Sequence, residues 1–427
     1  MHITIDFETR SEVDLRKTGA SVYARHPSTS VLCLAWMAEL WKPGDDAPDE
    51  LFELIKQGVL IEAHNAFFER SIWRWVCHAR LGWPDVPFDQ WRCSMAAASR
   101  MGLPRSLGDA SAALGLKERK SPEGASLIQA LCKPRPESRR KGKKPEKWDN
   151  DPAKLSALYQ YCKQDVNVEQ GISEAVPPLT PSELQVWQLD QKINLRGIPI
   201  DRSACEHALE VIKAQQVIHN ARIDELTDKK VSSVRSVGAM LDFIRDDVGV
   251  EMADLQADTV SKTIEKTDDP LLEEILTLRL EASKSSTAKV AAMLEHCDTD
   301  GRVRETIAYH GAATGRFAGR GIQIQNYPRG SMSVEEIELM HRLLPARNGR
   351  AIDLLFGSPP TAISSVLRSM IRAPKGSRLM VCDFAQIEAR VLAWLAYQPD
   401  LLEAFSNNED VYVDMAAKIY DVDPEQV

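Results

Sequence analysis

The chain has 427 residues, 44% hydrophobic and 27% charged, which excludes a disordered chain and leaves ample core for two to four domains. Its 62 acidic residues outnumber 53 basic ones for a net charge of −9, so any nucleic-acid contact must rest on local basic patches. The eight scattered cysteines make no CxxC pair, the nine histidines make no HxxxH pair, and no apolar run nears the ~20 residues that span a bilayer. These features predict reduced thiols in a cytoplasmic setting, with no zinc site, no disulfide framework and no membrane partner.

In chain order, the first predicted element is a strand with Ile3 and Ile5 on one face. Asp6 and Glu8 lie two apart on it, so both side chains leave the same side, where they repel unless a cation neutralises them. Further strands are predicted at 31–37 and 59–63, the latter leading into a helix at 68–79. That alternation predicts an α/β layer structure. A proline-containing loop at 133–147 carries eight Lys/Arg against two Glu, and reads either as a solvated loop or as an arm that tracks phosphates. A helix opening near Asp151-Pro152 would carry Tyr161 and Asp165, four apart, on one face.

The segment 176–183 (VPPLTPSE) reads as a hinge. Thr180 to Glu183 forms a capping-box pattern with Pro181 at the first helical position, so a new helix and a new domain start there. Helical patterns continue to about residue 296, including one through Leu271, Leu272, Ile275, Leu276 and Leu280. Residues 301–310 read as a hairpin. The following loop has glycines at 311, 315, 319 and 321, arginines at 316, 320 and 329, and Gln323, Gln325 and Asn326. Close backbone approach, positive charge and neutral donors together suit a duplex minor groove. Finally, the run Leu379 to Cys382 is expected to be a buried strand that delivers Asp383 into a cleft. A helix follows with Ile387, Val391, Leu392 and Leu395 on its core face, leaving Gln386, Glu388 and Arg390 for a ligand.

Three blocks resemble known patterns. IDFET, HNAFFE (64–69) and YCKQD (161–165) resemble the three motifs of DEDD 3′–5′ exonucleases of the tyrosine subclass, which have a ribonuclease H-like fold. TGRF…IQIQNYP and DFAQIEAR resemble the TGRLSS…NLQNIP and DYSQIELR (motif A) patterns of family A, polymerase I-like DNA polymerases, most closely the phage type. The resemblance implies an α/β chain: a ribonuclease H-like exonuclease domain at 1–178, a helical thumb-like region at 179–300, and a partial α+β palm with the start of the fingers at 301–427. It implies that Asp6, Glu8 and Asp165 ligate metal, that Glu69 and Tyr161 share in catalysis, and that Asn65 and Phe68 hold the second motif. It also implies that Asp383 ligates metal in the polymerase site, and that Arg316, Gln325, Asn326, Gln386, Glu388 and Arg390 meet primer–template or nucleotide. Lys284 and Lys289 are implied as contacts to the DNA backbone. Two Mg2+ or Mn2+ ions per active site, and primer–template and single-stranded 3′ ends as partners, follow from the same resemblance.

Some positions depart from the pattern. Glu69 stands where the second exonuclease motif has Asp, and Phe384, Ala385 and Tyr412 replace Tyr, Ser and His. The family's fingers helix and second palm aspartate have no match in the sequence, so a separate chain is expected to supply them if this one is to polymerise. A catalytically silent primer–template binding module and a stand-alone trimming nuclease are the alternative readings.

Overall fold

The computed structural model describes residues 2–118, 120–121, 123–135, 146–282 and 286–426. Most of the basic loop (136–145) and Lys284 lie outside them. The chain forms two compact units, 1–372 and 373–427, and the expected boundaries at 178 and 300 fall inside the first.

The first unit is built on a five-stranded sheet of order β3-β2-β1-β4-β5. The central strand is β1 (His2–Arg10), which pairs antiparallel with β2 (Ser30–Trp36) and parallel with β4 (Leu60–Ala63). Strands β3 (Glu39–Trp41) and β5 (Trp91–Cys93) complete the two edges. Period-two alternation sends Ile3, Ile5 and Phe7 into an aromatic core with Leu34, Trp36, Ile61, Trp73, Trp83 and Trp91. Trp73 meets Phe7, Phe52, Trp83 and Trp91 edge-on at centroid distances of 5.4 to 6.5 Å.

The opposite face of β1 carries Asp6 and Glu8, in register with Ala35 and Cys33 of β2. The long helix Pro152–Ala175 covers this face. It begins where Asp151 accepts bonds from the amides of Ala153 and Lys154, with Pro152 at the first position, where a missing N–H costs nothing. Leu158, Tyr161, Cys162, Asp165, Val166, Glu169 and Ile172 form its buried stripe, the spacing of a helix against a sheet.

The next helix, Pro181–Arg196, starts at Thr180, whose side chain accepts the Glu183 amide at 3.4 Å. The Glu183 carboxylate is occupied by the Tyr309 hydroxyl, a long-range partner that the capping-box pattern could not foretell. Trp187 of this helix and Tyr309 are both buried in the aromatic core. A second core gathers Cys205, Ala208, Val211 and Ile212 with Val290, Met293, Ile363, Val366 and Met370. A third, through Ile223, Met240, Ile244, Val260, Leu272, Ile275 and Leu276, fills the helical region.

Residues 301–310 do not form the expected hairpin. Arg302–Val303 pairs with Ile198–Pro199, and Ile307–Ala308 pairs with Ala318–Gly319. The two short strands therefore pair with different segments, one well upstream and one just downstream. Asp298 accepts from Ser21 Oγ at 3.1 Å, and lies 3.1 Å from Arg25 Nε and 3.0 Å from Arg304. Glu305 Oε1 accepts the Ser21 amide at 3.0 Å. These buried contacts tie the helix Leu15–Arg25 to residues 298–305.

In the second unit, the run 379–382 has no regular secondary structure, and Leu379, Met380 and Val381 are 52, 72 and 91% exposed. Among the described residues no strand pairs with it, so strand propensity alone does not make a ladder. The helix Ile387–Leu395 forms, but Ala393 is its buried residue, packed with Phe405 and Val411. Ile387, Val391, Leu392 and Leu395 are exposed, contrary to the core face expected from the sequence. No helix of the described chain is long and apolar enough to cross a membrane.

Removing the Asp298 carboxylate leaves Arg25 without its acid, takes one of two acidic partners from the buried Arg304, which keeps Asp300, and frees the buried Ser21 hydroxyl. Asp298→Ala is expected to cost about 3–5 kcal/mol, read as a lowered midpoint in thermal or urea unfolding. A change under about 1 kcal/mol would contradict the buried fastening described above.

Candidate functional site

Strand periodicity sets Asp6 and Glu8 on one face, and helical periodicity aims Asp165 down at them. Carboxylate oxygens of the three residues lie within 4.8 Å of one another. Among the described residues this is the only such gathering of acidic, histidine or cysteine ligand atoms. Burial, then the charge of Asp165, pushes the Asp6 carboxyl from 3.8 up to about 6. Glu8 is held well above its ordinary range by burial and then by Asp6. A site this rich in like charge calls for a cation.

Thiols and one lysine line it. Cys162 Sγ donates to Asp6 Oδ2 at 3.3 Å, and Cys132 Sγ approaches Glu8 Oε2 at 3.9 Å. Lys120 Nζ donates to Asp165 Oδ2 at 2.6 Å and sits 5.0 Å from the centre of the Tyr161 ring. Asp165 Oδ1 and the Tyr161 hydroxyl are buried without a hydrogen-bond partner. Burial, then the nearby Asp165 charge, keeps the Tyr161 phenol protonated far above its usual range. The ring lies on Gly124, where even a Cβ would come within 2.1 Å of it. Three convergent carboxylates with an orphaned oxygen fit a bound divalent ion.

Glu69 lies outside the triad but under its influence. It is buried, its Oε2 has no hydrogen-bond partner, and burial and then Asp6 hold its carboxyl well above the ordinary range. Asn65, at φ +84°, makes the left-handed turn from β4 into the helix Ala66–Ile72 that carries Glu69. Phe68 is partly buried and tilts against Tyr23 at 6.1 Å. Behind them, His64 bonds Ser94 Oγ and the Arg105 carbonyl, each at 2.9 Å. Ser94 in turn donates to Glu169 at 2.9 Å. Burial pushes His64 down to about 4, so it is a neutral strut near pH 7. Sequence reading passed over Lys120, Cys132, Cys162, Ser94 and Glu169. Only the helical spacing of Tyr161, Asp165 and Glu169 could have raised the last of these.

The remaining candidate residues do not join this site. Arg316, Gln325 and Asn326 lie exposed on the glycine-rich loop of the first unit. Asn326 Nδ2 donates to Gln323 at 2.9 Å, and the Asn326 carbonyl accepts from Lys289. In the second unit Asp383 is exposed on the irregular segment and, among the described residues, belongs to no ligand cluster. Gln386, at φ +52°, caps the helix carrying Glu388, and Glu388 is exposed in its first turn. Arg390 donates to the Ala385 carbonyl at 2.9 Å and stacks over Phe405 at 4.5 Å, which fixes the helix start.

Residues 202–427, more than half of the chain, match the sequence profile of DNA polymerase family A. The chain belongs to that family. A DNA polymerase of Bacillus phage SP02 is 33% identical over 438 residues, covering all of this chain and 66% of the relative. DNA polymerase I of Chloroflexus aurantiacus is 24% identical over 86% of this chain and 36% of its own length. The POL domain of Pol1 from M. smegmatis, solved in complex with DNA primer-template and dNTP, shares the fold at a TM-score of 0.56 and 18% identity. That match covers 100% of this family A chain and 64% of the solved one. The chain thus spans at most about two-thirds of the length of these relatives. Asp6, Glu8 and Asp165 precede the profile-matched region.

The raised Asp6 pKa has a consequence for stability. Asp6 binds its proton more tightly when folded (about 6) than when unfolded (3.8), so its contribution is full below pH 4 and lost as pH rises through 6. Between pH 4 and 7, in chelator, this group is expected to cost roughly 2–3 kcal/mol. Denaturant titrations of wild type and Asp6→Asn should diverge over that range, the variant holding its stability better at pH 7. Parallel curves would contradict the site's electrostatics.

Proposed function

We propose that this family A chain carries a two-metal 3′–5′ exonuclease in residues 1–178, a thumb-like region at 179–300, and part of the polymerase palm with the start of the fingers at 301–427. The observation that carries the nuclease reading is the convergence of Asp6, Glu8 and Asp165 beneath one helix, with the Tyr161 hydroxyl unpartnered beside them. The sheet order, with β1 central, antiparallel to one neighbour and parallel to the other, supports a ribonuclease H-like domain.

Asp6, Glu8 and Asp165 would hold two Mg2+ or Mn2+ ions. Such ions, when bound, supply hydroxide at neutral pH and stabilise the departing 3′ oxygen. The protein's own part is positional. Tyr161, kept protonated, offers a hydroxyl to orient the attacking water. Glu69 extends the acidic wall by one methylene more than Asp would, and Asn65 and Phe68 fix its helix. His64, Ser94 and Glu169 brace that helix from behind, and such support keeps a constellation within tolerance.

The exposed Arg316, Gln325 and Asn326 support primer–template binding, as in the solved relative with bound primer-template. In the palm, Asp383 would ligate metal, Glu388 would exclude a ribose 2′-hydroxyl, and Gln386 and Arg390 would position that site. The setting proposed is the cytoplasm of a phage-infected or prophage-bearing bacterium. The exposed loop also favours a second reading, a silent primer–template binding module, which predicts binding without cleavage.

A 5′-labelled primer with a mismatched 3′ end, annealed to template and incubated with Mg2+, should shorten one nucleotide at a time. Asp6→Ala should slow this at least about 100-fold. Binding without shortening would favour the silent module. Arg316→Ala should weaken primer–template binding and lower the salt slope by about one, measured by fluorescence anisotropy across salt concentrations.

A further inference from the structure

We propose that Lys120 is the resident counter-cation of the carboxylate site: it neutralises Asp165 when no divalent ion is bound and competes with that ion for the site. The inference rests on the reading of Asp6, Glu8 and Asp165 as metal ligands. It concerns a residue outside all three exonuclease motifs.

The geometry carries it. Lys120 Nζ donates to Asp165 Oδ2 at 2.6 Å, on a side chain 39% exposed, while the Asp165 side chain is only 4% exposed. Asp6 and Glu8 both feel the lysine's positive charge. The ammonium also faces the Tyr161 ring, 5.0 Å from its centroid. It therefore occupies the mouth of the cluster, on the side open to solvent. The other oxygen of the same carboxylate, Oδ1, is buried and unpartnered, so the lysine satisfies only half of Asp165.

An ordinary surface ion pair would contribute little and would be indifferent to metal. This pair is different because its acid is buried among like charges. A divalent ion and an ammonium cannot both sit against Asp165 without repulsion, so loading the ion must release Lys120. The flexible, half-exposed stem allows that release. By linkage, whatever free energy the lysine gives the metal-free site is subtracted from metal affinity, and removing the lysine returns it.

The test is Mn2+ titration of the full chain by calorimetry, without nucleic acid, for wild type, Lys120→Met and Lys120→Arg. Lys120→Met should bind Mn2+ about tenfold more tightly, since a charge repulsion at close range is lost. Lys120→Arg should stay within about twofold of wild type. Unchanged or weaker binding by Lys120→Met overturns the proposal, as does an absence of Mn2+ binding in all three proteins. Thermal melting guards against a purely structural role. In chelator Lys120→Met should melt below wild type, and saturating Mn2+ should close that gap; a gap that persists in Mn2+ overturns the proposal. A primer-shortening assay on the same samples separates the two readings. Tightened Mn2+ binding without cleavage by wild type would support the counter-cation and sink the exonuclease. Normal cleavage with unchanged Mn2+ affinity would do the reverse.

Discussion

Holding several carboxylates together inside a protein is the constraint on which the first unit depends. Asp6, Glu8 and Asp165 are brought within 4.8 Å of one another, and Glu69 is buried within reach of the same field. Their mutual repulsion and desolvation oppose folding unless the scaffold is stiff enough to impose the arrangement. Stiffness comes from a five-stranded sheet with a tryptophan-rich core behind it and a 24-residue helix in front. Relief comes from Lys120 and from the Cys162 and Cys132 thiols. The buried like charge thus works against the stability of this layer, a cost that a bound cation would relieve.

Much of that layer was legible in the sequence. The alternation around Ile3 and Ile5 placed Asp6 and Glu8 together, and the Asp151-Pro152 start placed Tyr161 and Asp165 one helical turn apart. What escaped were residues whose role exists only across the fold. Lys120 is ordinary in sequence, and it becomes part of the site because residues 45 positions apart meet. Cys162 reads as a small hydrophobe until its hydrogen bond to Asp6 is visible. Glu183 looked like half of a capping box, yet Tyr309 claims it.

The second unit teaches the opposite lesson. Leu379 to Cys382 has strand composition, and the following helix has an apolar stripe, so local pattern predicted burial. Burial is not a local property. Without a ladder neighbour among the described residues, the run stays in solvent, and the helix buries Ala393 against Phe405 instead of its large apolar side chains. Arg390, implied by resemblance to position a reactive site, here clasps the Ala385 carbonyl and the Phe405 ring. The same misjudgement affected residues 301–310, whose two short strands pair with segments on either side.

The fastening through Asp298 and Glu305 bears on how this protein can be divided. Motif boundaries suggest a cut near residue 178. The aromatic core, however, includes Trp187 and Tyr309, and Ser21 and Arg25 spend their hydrogen bonds and charge on residues near 300. A fragment ended at 178 would bare an indole-sized gap and leave Arg25 without its acid. The proposed nuclease module and the packed unit are therefore different objects here. Grafting residues 1–178 onto another scaffold, or exchanging them between relatives, would have to carry the 181–196 helix and the 298–309 segment along with them.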